Sequence, residues 1–302
     1  MKYICAQPAI KYFAWQLDIF IYSLINNNIK QEDIHILSSI NENGIDRYFS
    51  ILKEKYPNVL FEFYRDTRKY TMYQPSIKPH LMYNHYLKYP ELQKETIMFL
   101  DADVALIKPI DFSGMLNNNI WYLSDTSSYL NYDYIKSKGD DVLNKMLEVA
   151  DISEHVIKSN NNNSGGAQYL IKSIDTIFWK EVEDLSHRLY IEITHLYSTK
   201  LPEENGHHHL QIWTSEMWAM IWTAWKRGIM TLVHPSLDFC WATDNIEKWD
   251  NTSIFHNAGV TCSCQDLFRK SNYTDRLPDL NLKIDKTKCS FNYYNILKEV
   301  LT

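Results

Sequence analysis

The chain has 302 residues and carries 31 basic against 37 acidic side chains, a formal net charge of −6. Because neither sign of charge forms a long run, a nucleic-acid footprint is not expected. No segment approaches the roughly 18 to 20 apolar residues of a membrane span, and the N-terminal MKYICAQPAI lacks the apolar core of a signal peptide. We therefore expect a globular, cytoplasmic protein, in which the five cysteines are reduced thiols.

Strands and helices alternate over the first hundred residues, as their apolar spacing shows. Such alternation is typical of an α/β fold with a mostly parallel sheet covered by helices. In these sheets, ligands sit at the carboxyl ends of the strands. The predicted elements are a strand at Tyr3–Ala6, a helix through Phe13–Leu24, a strand at Ile34–Leu37, a helix over Ile45–Lys55, a strand at Val59–Phe63, a helix through Leu81–Leu87 and a strand at Ile97–Leu100.

The second part of the chain is less regular. Gly165 and Gly166 follow an Asn-rich loop and precede a predicted strand. The polar segment LPEENGHHHL predicts an exposed loop, and Ser215 is the expected N-cap of an aromatic-rich helix that Gly228 terminates. The further predicted elements are a strand at Ala167–Ile171, a long helix with Phe178, Val182, Leu185 and Leu189 on one stripe, and strands at Met230–Val233 and Ser253–Phe255.

Two aspartates, Asp101 and Asp103, follow the apolar run IMFL at the end of a predicted buried strand. In an extended segment, residues i and i+2 point the same way, so the two carboxylates can converge on one point. Two carboxylates form a site for a hard cation, Mn²⁺ or Mg²⁺, which can bind the two phosphates of a nucleotide diphosphate. A solvated turn is the alternative interpretation of the same residues.

His256, in IFHNAG, is a third candidate metal ligand, since it also follows a short apolar strand. An imidazole with two carboxylates suits Mn²⁺ better than Mg²⁺, which prefers oxygen. A packed or capping histidine is the alternative. The consecutive His207, His208 and His209 cannot all face one ion, so they are assigned to the exposed loop.

The Asp101-Ala-Asp103 motif after an apolar strand resembles the metal motif of GT-A glycosyltransferases, and His256-Asn-Ala-Gly259 resembles the C-terminal His-x-x-Gly of their glycogenin-like members. More specifically, the chain is similar to plant hydroxyproline O-arabinosyltransferases, peptidyl serine galactosyltransferases and related viral or bacterial proteins. The matching segments run in the same order from residue 3 to about residue 260. They are YFAWQ with Trp15, Lys78-Pro79, FLDADVALIKPI, Gly165-Gly166-Ala-Gln168-Tyr169 and Ser215-Glu216-Met217.

This resemblance implies one GT-A domain over residues 1–302, with a nucleotide-binding half at 1–110 and an acceptor-binding half at 111–302. It implies transfer of a sugar from a nucleoside diphosphate donor, most often uridine-linked, to a hydroxyl of a protein, peptide or glycan. Asp101, Asp103 and His256 would hold the metal. The other donor-binding residues would be Ala6, Gln7, Pro8, Lys78, Ala102, Gly165, Gly166, Gln168, Gly259 and Lys270.

The roles of Gly165 with Gly166, of Glu216 and of Lys270 each have competing interpretations. Gly165 and Gly166 either allow a sugar ring to approach closely or form a simple turn before a strand. Glu216 is either the base that deprotonates the acceptor hydroxyl, or a group that orients it, or a capping-type acid favoured by the helix dipole. Lys270, beside Arg269, either closes over the diphosphate or belongs to a solvated basic pair.

The chain departs from the plant families in having alanine between the acids, where they tend to have proline, and in showing no secretory segment or anchor. The acceptor is therefore not carried over. The motif at Asp101 also matches haloacid dehalogenase-type phosphatases, with Asp140-Asp141 as the later acidic pair, but position 105 is alanine where they usually have threonine. A third interpretation is a non-catalytic carbohydrate-binding protein that uses some of the nine tryptophans and 21 tyrosines.

Overall fold

The computed structural model describes residues 1–40, 42, 44–198, 209–262 and 266–302. Most of the predicted loop at Leu201–Leu210, with His207 and His208, lies outside the described residues, as does Cys264. The described His209 packs against the ring of Tyr197, with the ring centres 4.2 Å apart. No described helix combines the length and the apolar character that crossing a bilayer requires.

Ten strands and eleven α-helices make up the described part of the chain. The strands are Lys2–Pro8 (β1), Ile34–Ile40 (β2), Leu60–Arg65 (β3), Thr96–Phe99 (β4), Val104–Leu106 (β5), Trp121–Asp125 (β6), Gly165–Lys172 (β7), Thr231–Val233 (β8), Phe239–Trp241 (β9) and Ile254–His256 (β10). The helices are Lys11–Asn26 (α1), Tyr48–Lys55 (α2), Ile77–Lys88 (α3), Ser127–Leu130 (α4), Tyr132–Lys136 (α5), Asp140–Ala150 (α6), Glu154–Ser159 (α7), Thr176–Ser198 (α8), Ser215–Lys226 (α9), Glu247–Asn251 (α10) and Cys289–Leu301 (α11).

Seven of the strands form one mixed sheet in the order β3-β2-β1-β4-β7-β6-β8. The pairs β1–β2, β2–β3 and β6–β8 are parallel, whereas β6 and β7 are antiparallel. The predicted α/β fold class, a mostly parallel sheet flanked by helices, is confirmed. Each strand and helix predicted before Asp101 is also present, with ends that differ by a few residues.

The chain divides into two compact units whose segments alternate along the sequence. Unit 1 comprises Met1–Arg65, Phe99–Ser113 and Ser236–Thr302, and unit 2 comprises Asp66–Met98 and Gly114–Pro235. The C-terminal segment, Ser236–Thr302, thus returns to the unit that contains β1. The predicted halves at 1–110 and 111–302 stay a prediction of functional regions.

Unit 1 contains a second, three-stranded sheet, β5-β10-β9, which the sequence did not predict as a sheet. β10 runs antiparallel to β5 and parallel to β9. Its apolar side chains join a core made with α1 and α11, in which Phe255 stacks on Tyr293 with ring centres 4.8 Å apart. Cys5, Cys240 and Cys289 are buried and not disulfide-bonded, as expected of structural thiols. Cys262 is disulfide-bonded, so the prediction of five reduced thiols was wrong for this residue.

Unit 2 is built around the contact of α8 with α3 and α9. The aromatic helix α9 is buried along almost its whole length, and its Trp218 donates a hydrogen bond to the Leu130 carbonyl at 2.9 Å. The predicted N-cap at Ser215 was wrong by one residue, because Thr214 is the N-cap and the Ser215 hydroxyl donates to the Ile212 carbonyl. Gly228 follows the helix with a φ of 72°, the left-handed conformation that favours glycine at a helix end.

Strand β7 carries a bulge where it pairs with β6. Leu123 is opposite Tyr169, but the next residue, Ser124, is opposite Gly166, so two residues of β7 have no partner position on β6. One of them, Ala167, has a φ of 64°, a conformation that costs a residue with a Cβ about 1 kcal/mol. Bulges of this kind change the direction of side chains and occur often beside functional sites.

The two glycines at the start of β7 are both required by packing, but not equally. A Cβ on Gly165 would lie 2.5 Å from the Ser124 carbonyl oxygen, which is backbone. A Cβ on Gly166 would lie 2.6 Å from the terminal methyl of Met217 and 2.8 Å from the Tyr169 hydroxyl, which are the ends of side chains. The close packing explains both glycines without a ligand.

We expect Gly165→Ala to lower the free energy of unfolding by about 1–3 kcal/mol, because the strand must shift to relieve the backbone clash. Gly166→Ala is the matched control and should cost less, since the Met217 side chain can change rotamer. Urea unfolding of the two variants measures both effects. An equal cost for the two variants would contradict this account of β7.

Candidate metal and donor site

Asp101 and Asp103 lie in the turn between β4 and β5, not in an extended strand. The expectation that both carboxylates point the same way because of strand geometry was therefore wrong. The turn nevertheless brings them together with His256, since one ligand atom from each of the three residues lies within 4.8 Å of the others. Asp101 is half-buried, whereas Asp103 and His256 are buried.

The pairing of β10 with β5 explains why His256 reaches the aspartates. In this antiparallel register His256 is opposite Val104, the residue that follows Asp103. The backbone amide of Asn257 then donates to the Asp103 carbonyl at 2.9 Å, so the ladder extends by one more hydrogen bond. The imidazole stacks on the indole of Trp241, with ring centres 5.3 Å apart, and its Nε2 lies 3.3 Å from Asp103 Oδ1.

Lys270 is part of this group, although a solvated basic pair was an open interpretation. Its ammonium contacts the second carboxylate oxygen of Asp103, Oδ2. Burial alone would raise the pKa of the Asp103 carboxyl, but the charges of Lys270 and His256 hold that pKa well below its usual range. Burial alone would lower the pKa of Lys270, and the Asp103 carboxylate raises it above its ordinary value. Both groups are therefore charged at neutral pH.

Trp15 on α1 holds the segment that carries Lys270. Its indole N–H donates to the Tyr273 carbonyl at 3.0 Å, and its ring meets that of Phe268 edge-on at 5.8 Å. Phe268 and Tyr273 stack on each other with an interplanar angle of 6°, so the chain between them forms a short turn. Trp15 matched the family segment YFAWQ in the sequence, and the structure shows that its contacts are with the C-terminal segment of unit 1.

Ala6, Gln7 and Pro8, which were predicted to line the nucleotide pocket, are the last three residues of β1 and differ in burial. Ala6 and Gln7 are buried, and Pro8 is half-buried at the end of β1. The Gln7 amide donates to the Ser38 hydroxyl at 3.0 Å and accepts from the Cys5 thiol at 2.9 Å. Gln7 therefore already has two protein partners.

Gly259 lies three residues after His256, in unit 1. Its φ of 85° is one that favours glycine. A Cβ there would contact the Thr243 side chain at ordinary distance, so the conformation and not the space selects glycine.

In unit 2, Lys78 and Glu216 form an ion pair, with 2.9 Å between Lys78 Nζ and Glu216 Oε2. Lys78 belongs to the first turn of α3, and Glu216 belongs to the first turn of α9. The Glu216 side chain is 2% exposed and that of Lys78 is 18% exposed. Both residues were identified from the sequence as candidate site residues. Their pairing was not predicted, because they are far apart along the chain. Gln168, in the bulge of β7, is fully buried.

The acidic pair that a phosphatase would need has an ordinary structural role. Asp140 and Asp141 are in the first turn of α6, and Asp140 pairs with Lys136 at 2.7 Å on the exposed surface. They belong to unit 2, whereas Asp101 belongs to unit 1. Carboxylates at a helix N-terminus are favoured by the helix dipole, which accounts for both.

No family model and no curated protein matches the chain. Among solved structures it is similar to WbbM, a bifunctional glycosyltransferase, with a TM-score of 0.45 and 11% identity over 86% of this chain and 46% of that one. It is also similar to mouse xyloside xylosyltransferase 1, with a TM-score of 0.43 and 9% identity over 88% of this chain and 98% of that one. An active-site mutant of LgtC gives a TM-score of 0.44 and 11% identity over 90% of this chain and 93% of that one. The chain spans less than half of WbbM, and at these TM-scores the likenesses do not establish an activity.

The contact between Lys270 and Asp103 predicts competition between the ammonium and a divalent cation. We expect Lys270→Met to bind Mn²⁺, with no nucleotide present, about tenfold or more tightly, because one positive charge beside the carboxylates is removed. Lys108→Met is the matched control, since Lys108 is exposed and its ammonium donates to a backbone carbonyl, that of Asp250, at 2.9 Å. Calorimetric titration with Mn²⁺ measures both. Unchanged or weaker binding by Lys270→Met would contradict the competition.

Proposed function

We propose that the protein is a metal-dependent GT-A glycosyltransferase, which transfers a sugar from a nucleoside diphosphate sugar to a hydroxyl of a protein, peptide or glycan. The observation that carries this proposal is the convergence of Asp101, Asp103 and His256 within 4.8 Å. Their placement agrees with the sequence motifs Asp-x-Asp and His-x-x-Gly. The donor is proposed to be uridine-linked, as in most enzymes that the sequence resembles.

The three side chains fit a divalent cation by their chemistry. Two carboxylate oxygens and one imidazole nitrogen are a ligand set that suits Mn²⁺ better than Mg²⁺. The positive Lys270 on the same carboxylate supports this fit, because it shows that Asp103 attracts a cation. A bound cation would act as a Lewis acid for the departing nucleoside diphosphate.

Lys270 has a second role in this proposal. With a cation held by Asp101, Asp103 and His256, the ammonium would be available to contact a phosphate oxygen of the donor. Trp15 holds the turn that carries Lys270, which keeps this residue beside the metal ligands. The charges of Lys270 and Asp103 also act on the phenol of Tyr12. Burial is the largest effect on this phenol and raises its pKa, so the phenol is neutral.

The other donor contacts are proposed from the sequence resemblance. In unit 1, the backbone at Ala6, Gln7 and Pro8 would line the nucleotide pocket, with Ala102 and Gly259 beside the metal ligands. Backbone contacts suit Gln7, since its side-chain amide is already hydrogen-bonded. In unit 2, the resemblance assigns Gly165, Gly166 and Gln168 to the donor sugar. Packing already accounts for the two glycines, so this role is proposed for Gln168, where the bulge in β7 supports it.

Glu216 is proposed as the base that takes the proton of the acceptor hydroxyl. Its carboxylate is buried and forms an ion pair with Lys78, which is itself proposed as a donor-binding residue. A buried carboxylate held by an ion pair is preorganised, since it has few other conformations to adopt. The proposal that the second half of the chain binds the acceptor depends on Glu216.

Asp103→Asn should abolish metal-dependent turnover of the donor, because it removes a charged ligand while preserving the shape of the side chain. The loss expected for such a residue is on the order of a hundredfold or more in kcat/KM. Asp111→Asn is the control, since Asp111 is also in unit 1 and its carboxylate accepts from the Ser113 amide at 2.9 Å. Hydrolysis of uridine diphosphate sugars with and without Mn²⁺ measures both. Equal, metal-dependent rates for the two variants would rule out the proposed function.

Glu216→Gln should lower kcat about 10²- to 10⁴-fold with the donor KM nearly unchanged, because the amide cannot accept the proton. The control is Glu181→Gln, which removes a surface carboxylate of unit 2 that pairs with Arg227. Steady-state kinetics of donor hydrolysis separate the two constants. A higher donor KM with an unchanged kcat would instead assign Glu216 to donor binding.

A further inference from the structure

The start of helix α9 has an unusual hydrogen-bond arrangement. The first amides of a helix have no partner within the helix, and the N-cap side chain usually supplies one. Here the N-cap, Thr214, makes no such bond, because its hydroxyl donates to the Gln211 carbonyl at 2.7 Å. The amide of Glu216 donates instead to the hydroxyl of Tyr73, which is 2.8 Å away and 143 residues distant in sequence.

The same hydroxyl of Tyr73 makes a second bond to this turn. It donates to the Trp213 carbonyl at 2.7 Å, so it accepts from one backbone group and donates to another. Burial is the largest effect that raises the pKa of the Tyr73 phenol above its ordinary value, and the charge of Glu216 adds to it. The phenol therefore keeps its proton and stays a donor to Trp213.

The ring of Tyr73 is fixed by its neighbours on α8. It stacks on Tyr190 with ring centres 4.6 Å apart and an interplanar angle of 24°. It also meets His187 edge-on at 6.3 Å. Because the ring is 2% exposed and packed on two sides, the hydroxyl position is set by aromatic packing.

A buried arginine, Arg68, also fixes the backbone of Tyr73. The Arg68 guanidinium makes a two-pronged pair with Asp66, at 2.9 and 2.7 Å. Its remaining nitrogen donates to the Tyr73 carbonyl at 3.1 Å and to the Ser76 hydroxyl at 2.8 Å. The side chain of Arg68 is 1% exposed, so the loop that leads into α3 is held by charge-assisted bonds away from water.

This loop ends where α3 begins, and the second residue of α3 is Lys78. The Tyr73 hydroxyl thus ties the helix start that carries Glu216 to the segment that leads to Lys78. We propose that Tyr73 is a positioning residue, which fixes the Glu216 carboxylate against Lys78 by holding the first turn of α9 to the loop of residues 66–76. The inference rests on the proposed function in one respect, since it takes Glu216 as the base.

Tyr73→Phe is the test variant, because it removes the hydroxyl and keeps the ring that stacks on Tyr190. We expect kcat for donor hydrolysis to fall about ten- to hundredfold, with the donor KM changed less than twofold. In the double variant with Glu216→Gln, the second substitution should add almost nothing, because Tyr73 acts only through Glu216. Losses that multiply in the double variant would overturn the positioning role.

Tyr294→Phe is the control for a purely structural effect. Its hydroxyl makes the same kind of double bond in unit 1, as it donates to the Asp279 carbonyl at 2.9 Å and accepts from the Leu282 amide at 2.7 Å. Both variants should lower Tm by a few degrees, but only Tyr73→Phe should lower kcat. An equal fall in kcat for the two would overturn the proposal.

Amide hydrogen exchange gives a readout that does not depend on activity. Removal of the Tyr73 hydroxyl should speed exchange at Glu216, since this amide loses its acceptor. Unchanged exchange there would overturn the tether. Faster exchange in a protein whose wild type turns over no nucleotide sugar would support the tether and reject the proposed function, so the two failures are distinct.

Discussion

The buried carboxylate of Asp103 is the interaction on which the candidate site depends. It contacts His256 through one oxygen and Lys270 through the other, so it joins the segment Phe99–Ser113 to two positions in the C-terminal segment of unit 1. A buried charge is costly unless it is paired, and two partners lower the pKa of this carboxyl despite its burial. The antiparallel register of β10 with β5 and the contacts of Trp15 with the C-terminal segment both serve to place these partners.

Local patterns in the sequence predicted much of this arrangement. The alternation of apolar strands and amphipathic helices was sufficient to predict the elements before Asp101, because each element is long enough to show its hydrophobic period. Asp101, Asp103 and His256 could be identified as candidate metal ligands because they follow short apolar runs. This signal is local and does not require knowledge of the strand pairing. The strand argument for the two aspartates was nevertheless wrong, since they converge through a turn.

The features that the sequence did not predict are those fixed by contacts between distant residues. Strands β5, β9 and β10 have three residues each, too few for a period, and only their mutual pairing makes them a sheet. The bond from the Glu216 amide to Tyr73 has no local signal, because Tyr73 lies in an irregular loop. The sequence left Lys270 open between the diphosphate and a solvated basic pair, because its contact with Asp103 requires the fold of the C-terminal segment.

Asp101, Asp103 and His256 are proposed to hold a divalent cation that binds a nucleoside diphosphate sugar. The most direct test is a thermal-shift panel of nucleotide sugars, each measured with and without Mn²⁺. A ligand at about a hundred times its dissociation constant adds roughly 2.7 kcal/mol of stability, a shift of several degrees for a protein of this size. We expect such a shift for a uridine diphosphate sugar with Mn²⁺ and its loss without the ion. No shift with any nucleotide sugar, or equal shifts with and without Mn²⁺, would contradict it.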